Sequence, residues 1–449
     1  MSKTFRPYDP EQMFLMPVSM REWLPREHLA YFVSDVVDQM DLTAIMRRYT
    51  AEERGYPPYH PAMMVKVLLY AYCVGVPSSR KIEKRLHEDI GFRVLAANNT
   101  PDFRTISDFR KEHLKALAGL FVQVLRLCQR AGLVKLGHVS LDGTKVKANA
   151  SKHKAMSYGR MKKEEERLQA EVEALLRQAQ EVDGEEDRRY GKDKRGDELP
   201  EELAFRESRL KKIREAKEAL EAEAREEAEG AKKSSKGATG VPGDKAQRNF
   251  TDPESHIMPV AGGRHFEQAY NAQAVVDSAH QVIVAADVVN QPSDMGQASP
   301  MMEVVKEKAG ELPRRMSADA GYYSRGAVEA LTSMGIDVYI PPGKVRHSRN
   351  LPAAPRGRIP KDLSATDRMR RKLLTKKGRR CYGLRKQVVE PVFGQIKQGR
   401  GFRQFLLRGM EKVNAEWQLI CAGHNMLKLF NASREGLVRR NALRAAALP

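Results

Sequence analysis

The chain has 449 residues and a formal net charge of +20, from 78 Lys/Arg against 58 Asp/Glu, and is long enough for two or three domains. Its four cysteines, Cys73, Cys128, Cys381 and Cys421, show neither CxxC nor Cys/His spacing, which argues against a disulfide scaffold or a zinc site. The longest apolar run, residues 63–76, is broken by Lys66 and falls short of a bilayer span, and Met1-Ser2-Lys3-Thr4-Phe5-Arg6 carries no signal-peptide core; no membrane role and a cytoplasmic location are expected.

The charge is unevenly placed. Residues 344–449 hold 26 Lys/Arg against 6 Asp/Glu, a net of +20, whereas residues 158–230 hold 17 against 23, a net of −6. A concentrated cationic field of this kind is the footprint of a polyanion partner, and nucleic acid is the expected one.

Residues 1–135 are read as helical. Pro17 and Pro25 punctuate the start, and Leu29, Phe32, Val33, Val36, Val37 and Met40 recur at helical spacing over 28–40. Residues 62–74 are almost wholly apolar, which predicts a buried helix. Pro77-Ser78-Ser79 opens a helix with a basic outer face at Arg80, Lys81, Lys84 and Arg85. Thr105 and Asp108 have capping-box spacing for the next, and 114–127 completes the set. Short helices with basic faces are compatible with a DNA-binding helix-turn-helix arrangement, and equally with any small bundle.

Residues 136–151 predict a short apolar strand ending at Asp142, followed by a basic hairpin with Lys145 and Lys147. Asp-Gly is also a common hairpin pair, so a turn role for Asp142 stays open on the residues alone. Residues 158–248 change character. Leu168, Val172, Leu175 and Leu176 form one stripe, and Leu203, Leu210, Ile213 and Leu220 another, with Gly184, Gly191, Gly196 and Pro200 expected to break the segment between them. Two long antiparallel helices followed by a Gly/Ser/Lys-rich linker are expected, as an insertion within a larger domain with a spacing or oligomerisation role. From residue 249 the pattern becomes α/β: strands at 269–276 and 281–289, a helix at 300–309, a strand over 315–319 ending in Asp319, a helix at 325–334 and a strand at 336–341. A mixed sheet with flanking helices follows from that alternation. The domain boundaries read from the chain are 1–135, then 136–157 with 249–432, the insertion 158–248, and a basic tail 433–449.

Asp319 repeats the design of Asp142, an apolar strand ending in a carboxylate with Gly within two residues. Glu390 is the third candidate. On a helix over 382–397, Val389, Val392, Phe393 and Ile396 face the core, while Glu390 shares an otherwise cationic face with Lys386 and Lys397. A local Glu390–Lys386 ion pair is the simpler reading of that face. Hard divalent cations take oxygen ligands, and two such ions can activate a water or a 3′-hydroxyl in phosphodiester transfer. His60, His138, His256 and His265 are expected to be structural, and Trp417, in line with Val413, Ile420 and Leu427, a core residue.

Several segments together resemble the DDE transposases of bacterial insertion sequences: Pro57-Pro58-Tyr59-His60-Pro61, Ser78-Ser79-Arg80-Lys81-Ile82-Glu83, the run from Pro101 to Arg110, Leu141-Asp142-Gly143-Thr144-Lys145, Tyr270-Asn271-Ala272-Gln273, Ala318-Asp319-Ala320-Gly321-Tyr322, and the run from Val389 to Lys397. The resemblance implies a ribonuclease-H-like catalytic domain over 136–157 and 249–432 behind a helical N-terminal DNA-binding domain. It implies a metal-binding triad of Asp142, Asp319 and Glu390, holding two Mg²⁺ (or Mn²⁺) ions. Lys397, seven residues after Glu390, matches a cation placed near DNA phosphate. A related signature has Tyr and Arg seven and four residues before the Glu; here Gly383 and Lys386 stand there, with Tyr382 and Arg385 each one place out. Lys145, Arg385, Lys386, Lys397, Arg400 and Arg403 are the expected DNA contacts. The implied reaction is metal-dependent cleavage at the element's terminal inverted repeats and strand transfer into target DNA, by a homodimer in the active complex. A catalytically silent repressor or domesticated relative, or a structure-specific nuclease, are the alternatives.

Overall fold

The computed structural model describes residues 19–49, 58–190, 201–231, 240–260, 265–343, 354–357, 360 and 363–436. The opening segment at 12–17, the Pro57 end of the Pro-rich motif, the hairpin turn at 191–200, residues 232–239 of the Gly/Ser/Lys-rich linker and the tail from 437 lie outside the described residues. The end of that linker, expected to be flexible, is corrected to a strand at Gln247–Asn249.

Seven helices open the described chain: α1 (Leu29–Val37), α2 (Thr43–Met46), α3 (Pro61–Cys73), α4 (Ser79–Glu88), α5 (Ile90–Leu95), α6 (Phe103–Glu112) and α7 (Leu114–Arg130). Their starts follow local chemistry. His60 Nδ1 accepts from Ala62 N at 3.2 Å ahead of Pro61, and Asp89 Oδ1 accepts from Gly91 N at 2.9 Å. The capping box expected at Thr105 is corrected: the cap is Asp102, whose Oδ1 takes Thr105 N at 2.7 Å, so the helix begins one turn earlier. The outer face of α4 is exposed and basic as expected, with Arg80 stacked 4.8 Å from the Phe103 ring.

The first strand, β1 (Val139–Lys147), is followed by β2 (Ala155–Ser157), the helices α8 (Tyr158–Tyr190) and α9 (Glu201–Ala231), and β3 (Gln247–Asn249), which pairs with β2. Then come β4 (His256–Val260), β5 (His265–Asp277), β6 (Ile283–Val289), α10 (Ala298–Ala309), β7 (Arg315–Ser317), α11 (Arg325–Ser333) and β8 (Asp337–Tyr339). The chain ends in α12 (Ala365–Leu374), α13 (Lys376–Gly394), a π turn at Gln395–Gly399, and α14 (Met410–Arg434).

The main sheet runs β6-β5-β1-β7-β8, with β4 also on β5. β1, β5 and β6 are antiparallel, while β1, β7 and β8 are parallel, so the sheet is mixed as expected. β1 differs from its expected shape. It does not turn at Asp142-Gly143 but continues to Lys147, paired along its whole length with β5 from Val139↔Asp277 to Lys147↔Ala269. A partner strand more than a hundred residues away decides against the hairpin.

One continuous core joins the N-terminal helices to the sheet, and α14 is its axis. One side of α14 packs on α3 and α7 and another on β6. Its polar residues bond the sheet directly: Trp417 Nε1 donates to Gln273 O at 2.9 Å, and Asn425 brackets Ile283 through both its N–H and C=O at 2.8 Å. Buried Glu416 accepts from Leu406 N and Leu407 N, tying down the loop before α14. The hairpin of α8 and α9 has a separate, smaller core of Met161, Leu168, Leu210, Ile213, Ala216 and Leu220 at its base. Among the described residues no helix is long and apolar enough to cross a membrane.

Candidate active site

The parallel pairing of β1 with β7 sets Ser140 opposite Ser317. Asp142 and Asp319 each lie two residues further on, so the register brings them side by side along the β1–β7 pair in the middle of the sheet. Asp142 sits inside β1, its Oδ1 accepting from Gly143 N at 2.9 Å. Asp319 caps a short 3₁₀ turn at Ala320–Tyr322, its Oδ1 accepting from Gly321 N at 2.8 Å.

Glu390 comes from α13, which packs across β1, β5, β7 and β8. Val388, Val389, Val392 and Phe393 fix that helix to the core, leaving Glu390 on its exposed side. Pro391 lies inside the helix and cannot donate to Gln387 O. Gln281 Nε2 takes that carbonyl instead, at 2.9 Å, and the helix passes through the proline into the π turn.

Arg385 connects the acids. Its Nη1 lies 3.1 Å from Asp142 Oδ2 and its Nη2 3.7 Å from Glu390 Oε1. Tyr382 stands beside Arg385 and near Asp319, its phenol raised chiefly by burial. Both side chains reach the site although each is one place out of the related signature, because a guanidinium and a phenol are long enough to absorb the shift. Burial pushes the Asp142 carboxyl up to about 7, against the lowering by Arg385, with Asp319 and Asp294 raising it further. This carboxylate is left short of positive charge even with Arg385 in contact.

Among the described residues no three His, Cys, Asp or Glu side chains are already drawn together closely enough to hold a metal ion. The donor set nevertheless has the chemistry a hard divalent cation needs: carboxylate oxygens beside the β1–β7 pair and on α13, a desolvated Asp142, and a buried Asn271 whose Oδ1 lacks a hydrogen-bond partner among the described residues.

The expected DNA contacts divide by burial. Lys386 and Arg403 are exposed, Arg403 donating to Gln398. Lys397 turns inward, its Nζ donating to Thr144 Oγ1 at 2.7 Å and Lys145 O at 2.6 Å; burial lowers its ammonium to about 8. It clamps the π turn to β1. Arg400 corrects the expectation of a phosphate contact. Its Nη1 donates to Tyr72 O at 3.2 Å and Ile420 O at 3.1 Å, its Nε and Nη2 are buried, and its guanidinium stacks 5.2 Å from the Phe402 ring. It pins α3 to α14. His138 is buried, in keeping with its structural reading, while His265 is exposed.

The sequence reading missed Asp294. It lies in the loop before α10, and its Oδ1 accepts from Asn271 Nδ2 at 2.7 Å, Gln273 Nε2 at 3.0 Å and Lys145 Nζ at 3.4 Å. A lone acid just ahead of a helix in a Pro/Ser/Gly-rich loop is the only local signal, and it is shared with ordinary helix starts. Tyr322, whose hydroxyl donates to Gln273 Oε1, completes this buried polar floor.

Two segments match known families: residues 18–112 match "Transposase domain (DUF772)" and residues 356–430 match "Transposase DDE domain". The two matches together support a DDE transposase of an insertion sequence. The second match takes in Glu390, Arg385 and most of α14, and the first takes in helices α1–α6 of the transposase. No curated protein and no solved structure matches the transposase.

Proposed function

We propose that this transposase cleaves DNA at the ends of an insertion sequence and joins them to target DNA, using Asp142, Asp319 and Glu390 as the carboxylates of a two-metal site. The observation that carries the reading is the juxtaposition of Asp142 and Asp319 by the β1–β7 register, with Arg385 linking Asp142 to Glu390. The strand order, three antiparallel strands continued by two parallel ones, supports a ribonuclease-H-like domain interrupted by the α8–α9 hairpin after its first strand. The exposed basic face of α4, with Lys386 and Arg403 near the site, supports contact with terminal repeats and target, and the joining of two ends calls for at least a homodimer.

Mg²⁺, or Mn²⁺, held by the three carboxylates would supply Lewis-acid stabilisation and an activated oxygen nucleophile. The chain's own residues do the positioning. Gly143 and Gly321 N–H groups orient one oxygen of Asp142 and of Asp319, and the other oxygen of Asp142 meets Arg385. Arg385 balances Asp142 and Glu390 before the cation arrives, and a guanidinium released from them is set to meet phosphate.

The test is a Mg²⁺-dependent cleavage and strand-transfer assay on DNA carrying the terminal inverted repeats. Asp142→Asn, Asp319→Asn and Glu390→Gln should each abolish cleavage and joining while end binding persists. Normal strand transfer by any one of them removes that residue from the triad. Cleavage without joining by the unsubstituted chain indicates a nuclease, and binding without either indicates a silent repressor.

A further inference from the structure

Asp294 is built unlike an ordinary loop acid. Its side chain is 21% exposed, and all three of its donors converge on one oxygen, Oδ1. Its loop carries Gln291 and Gln297 around it, and Gln291 O also receives Asn271 Nδ2 at 3.3 Å, so the amide that anchors Asp294 is itself held.

The second oxygen points elsewhere. A Cβ placed on Gly321 would lie 3.0 Å from Asp319 Oδ1 and 3.6 Å from Asp294 Oδ2, so the two carboxylates flank the same glycine. A Cβ on Gly143 would lie 2.7 Å from Asp294 Oδ1 and 2.8 Å from Asn271 Oδ1. Asp294 therefore lies between the residues that follow Asp142 and Asp319; the glycine at 143 is needed for its close approach, and at Gly321 it stands at ordinary contact distance. Asn271, fully buried, brings to the same spot an acceptor oxygen with no partner among the described residues. A carboxylate anchored through one oxygen with the other left over is the arrangement that outer hydrogen bonds impose on metal ligands.

We propose that Asp294 is a further oxygen ligand of the divalent-cation site, oriented by Asn271 and Gln273 and charge-balanced by Lys145. This inference rests on reading the site as metal-dependent. The loop ahead of α10 thereby becomes a fourth element of the site beside β1, β7 and α13, and Lys145 acts as the internal cation that Asp294 keeps until the ion binds.

The test is a Mn²⁺ titration of the full chain without DNA, with free ion read by electron paramagnetic resonance and folding followed by thermal unfolding. Asp294→Asn keeps an Oδ acceptor for the two amides and replaces the free oxygen with an amide nitrogen. It should weaken Mn²⁺ about tenfold or more, as Asp319→Asn does. Lys145→Met removes the competing cation and should tighten Mn²⁺ binding. If Asp294→Asn stays within about twofold of the unsubstituted chain while Asp319→Asn loses the ion, Asp294 is only a partner of Lys145 and the inference falls. Should Asp294→Asn fail to fold, unchanged or weakened Mn²⁺ binding by Lys145→Met overturns it. Absence of Mn²⁺ binding by the unsubstituted chain overturns both the inference and the metal-dependent reading beneath it.

Discussion

α14 and the α8–α9 hairpin are the two long helical features of the molecule, and they are stabilised by opposite means. α14 is buried along almost its whole length, and its polar residues have partners in the sheet and its β5–β6 turn: Asn414 on Asp287, Trp417 on Gln273, His424 on Gln281 in the turn and Asn425 on Ile283. The hairpin buries one narrow stripe and carries its charge outside, with Arg206–Glu171, Arg209–Glu164, Arg214–Glu165 and Lys217–Glu165 bridging the two helices. The first design couples stability to the site, because Trp417 holds the backbone of Gln273, whose side chain orients Asp294. The second lets a long insertion leave the sheet after β1 without asking the sheet to hold it.

The largest expected effect therefore lies in α14. Trp417→Ala removes an indole packed between Phe393 and Phe405, each 6.5 Å away between ring centroids, and frees the Gln273 carbonyl. A loss of about 3–5 kcal/mol is expected from the cavity alone, with DNA cleavage falling as well because the Asp294 anchor moves. Denaturant unfolding measures the first and end cleavage the second. A cost below about 1 kcal/mol would mean that α14 is not the axis of the core.

Acid separates the two regions next. The buried imidazoles of His138 and His424 are held down to about 4 and about 3, in each case mainly by burial. Unfolding returns them to an ordinary value near 6.5, so the unfolded chain takes up protons first and native stability drains away as pH falls below about 6.5. His138 alone should cost on the order of 3 kcal/mol by pH 4. Glu164 and Glu165 of the hairpin are instead lowered by their Arg and Lys partners, so their contribution is intact above about 4.5 and fades only as pH drops through their folded values. His138→Leu should flatten the stability profile between pH 6.5 and 4.5, since its ring nitrogens have no hydrogen-bond partner to lose among the described residues. An unchanged slope would show that the ring is hydrated in the folded chain.

Much of this was legible in the chain. The N-terminal helices announced themselves through 3.6-residue spacing and Pro or Asp starts, and the strand alternation around Asp277–His280 located β5 and β6. Asp142 and Asp319 stand out because acids ending apolar strands are costly without a partner, and Glu390 because it is a lone acid on a cationic helix face. What escaped depends on distant pairing. Asp142-Gly143 has the local chemistry of a turn, and only β5 makes it strand. Arg400 and Lys397 sit in the most cationic stretch and are expected to meet DNA, yet their stems and heads are folded inward by α3, α14 and β1. Asp294 needed Asn271, Gln273 and Lys145 to become visible, and none is its neighbour in sequence.

The smallest expected effect is the most direct check on the hairpin. Glu164 is shared by Arg167 at 2.7 Å and Arg209 at 3.0 Å, and both arginines are about half exposed, at 53% and 46%. Exposed pairs of this kind gain little over water and are screened by salt, so Arg209→Ala should cost no more than about 1 kcal/mol. The cost should shrink towards zero in 1 M salt, where the screening length falls to about 3 Å. Glu164 retains Arg167 in that variant, which limits the loss further. A salt-insensitive cost above about 2 kcal/mol would mean that Arg209 acts through its aliphatic stem against Ile213 and the hairpin core rather than through charge. The hairpin would then owe its stability to packing, as α14 does, and the contrast between the two regions would be one of area buried and no longer one of kind.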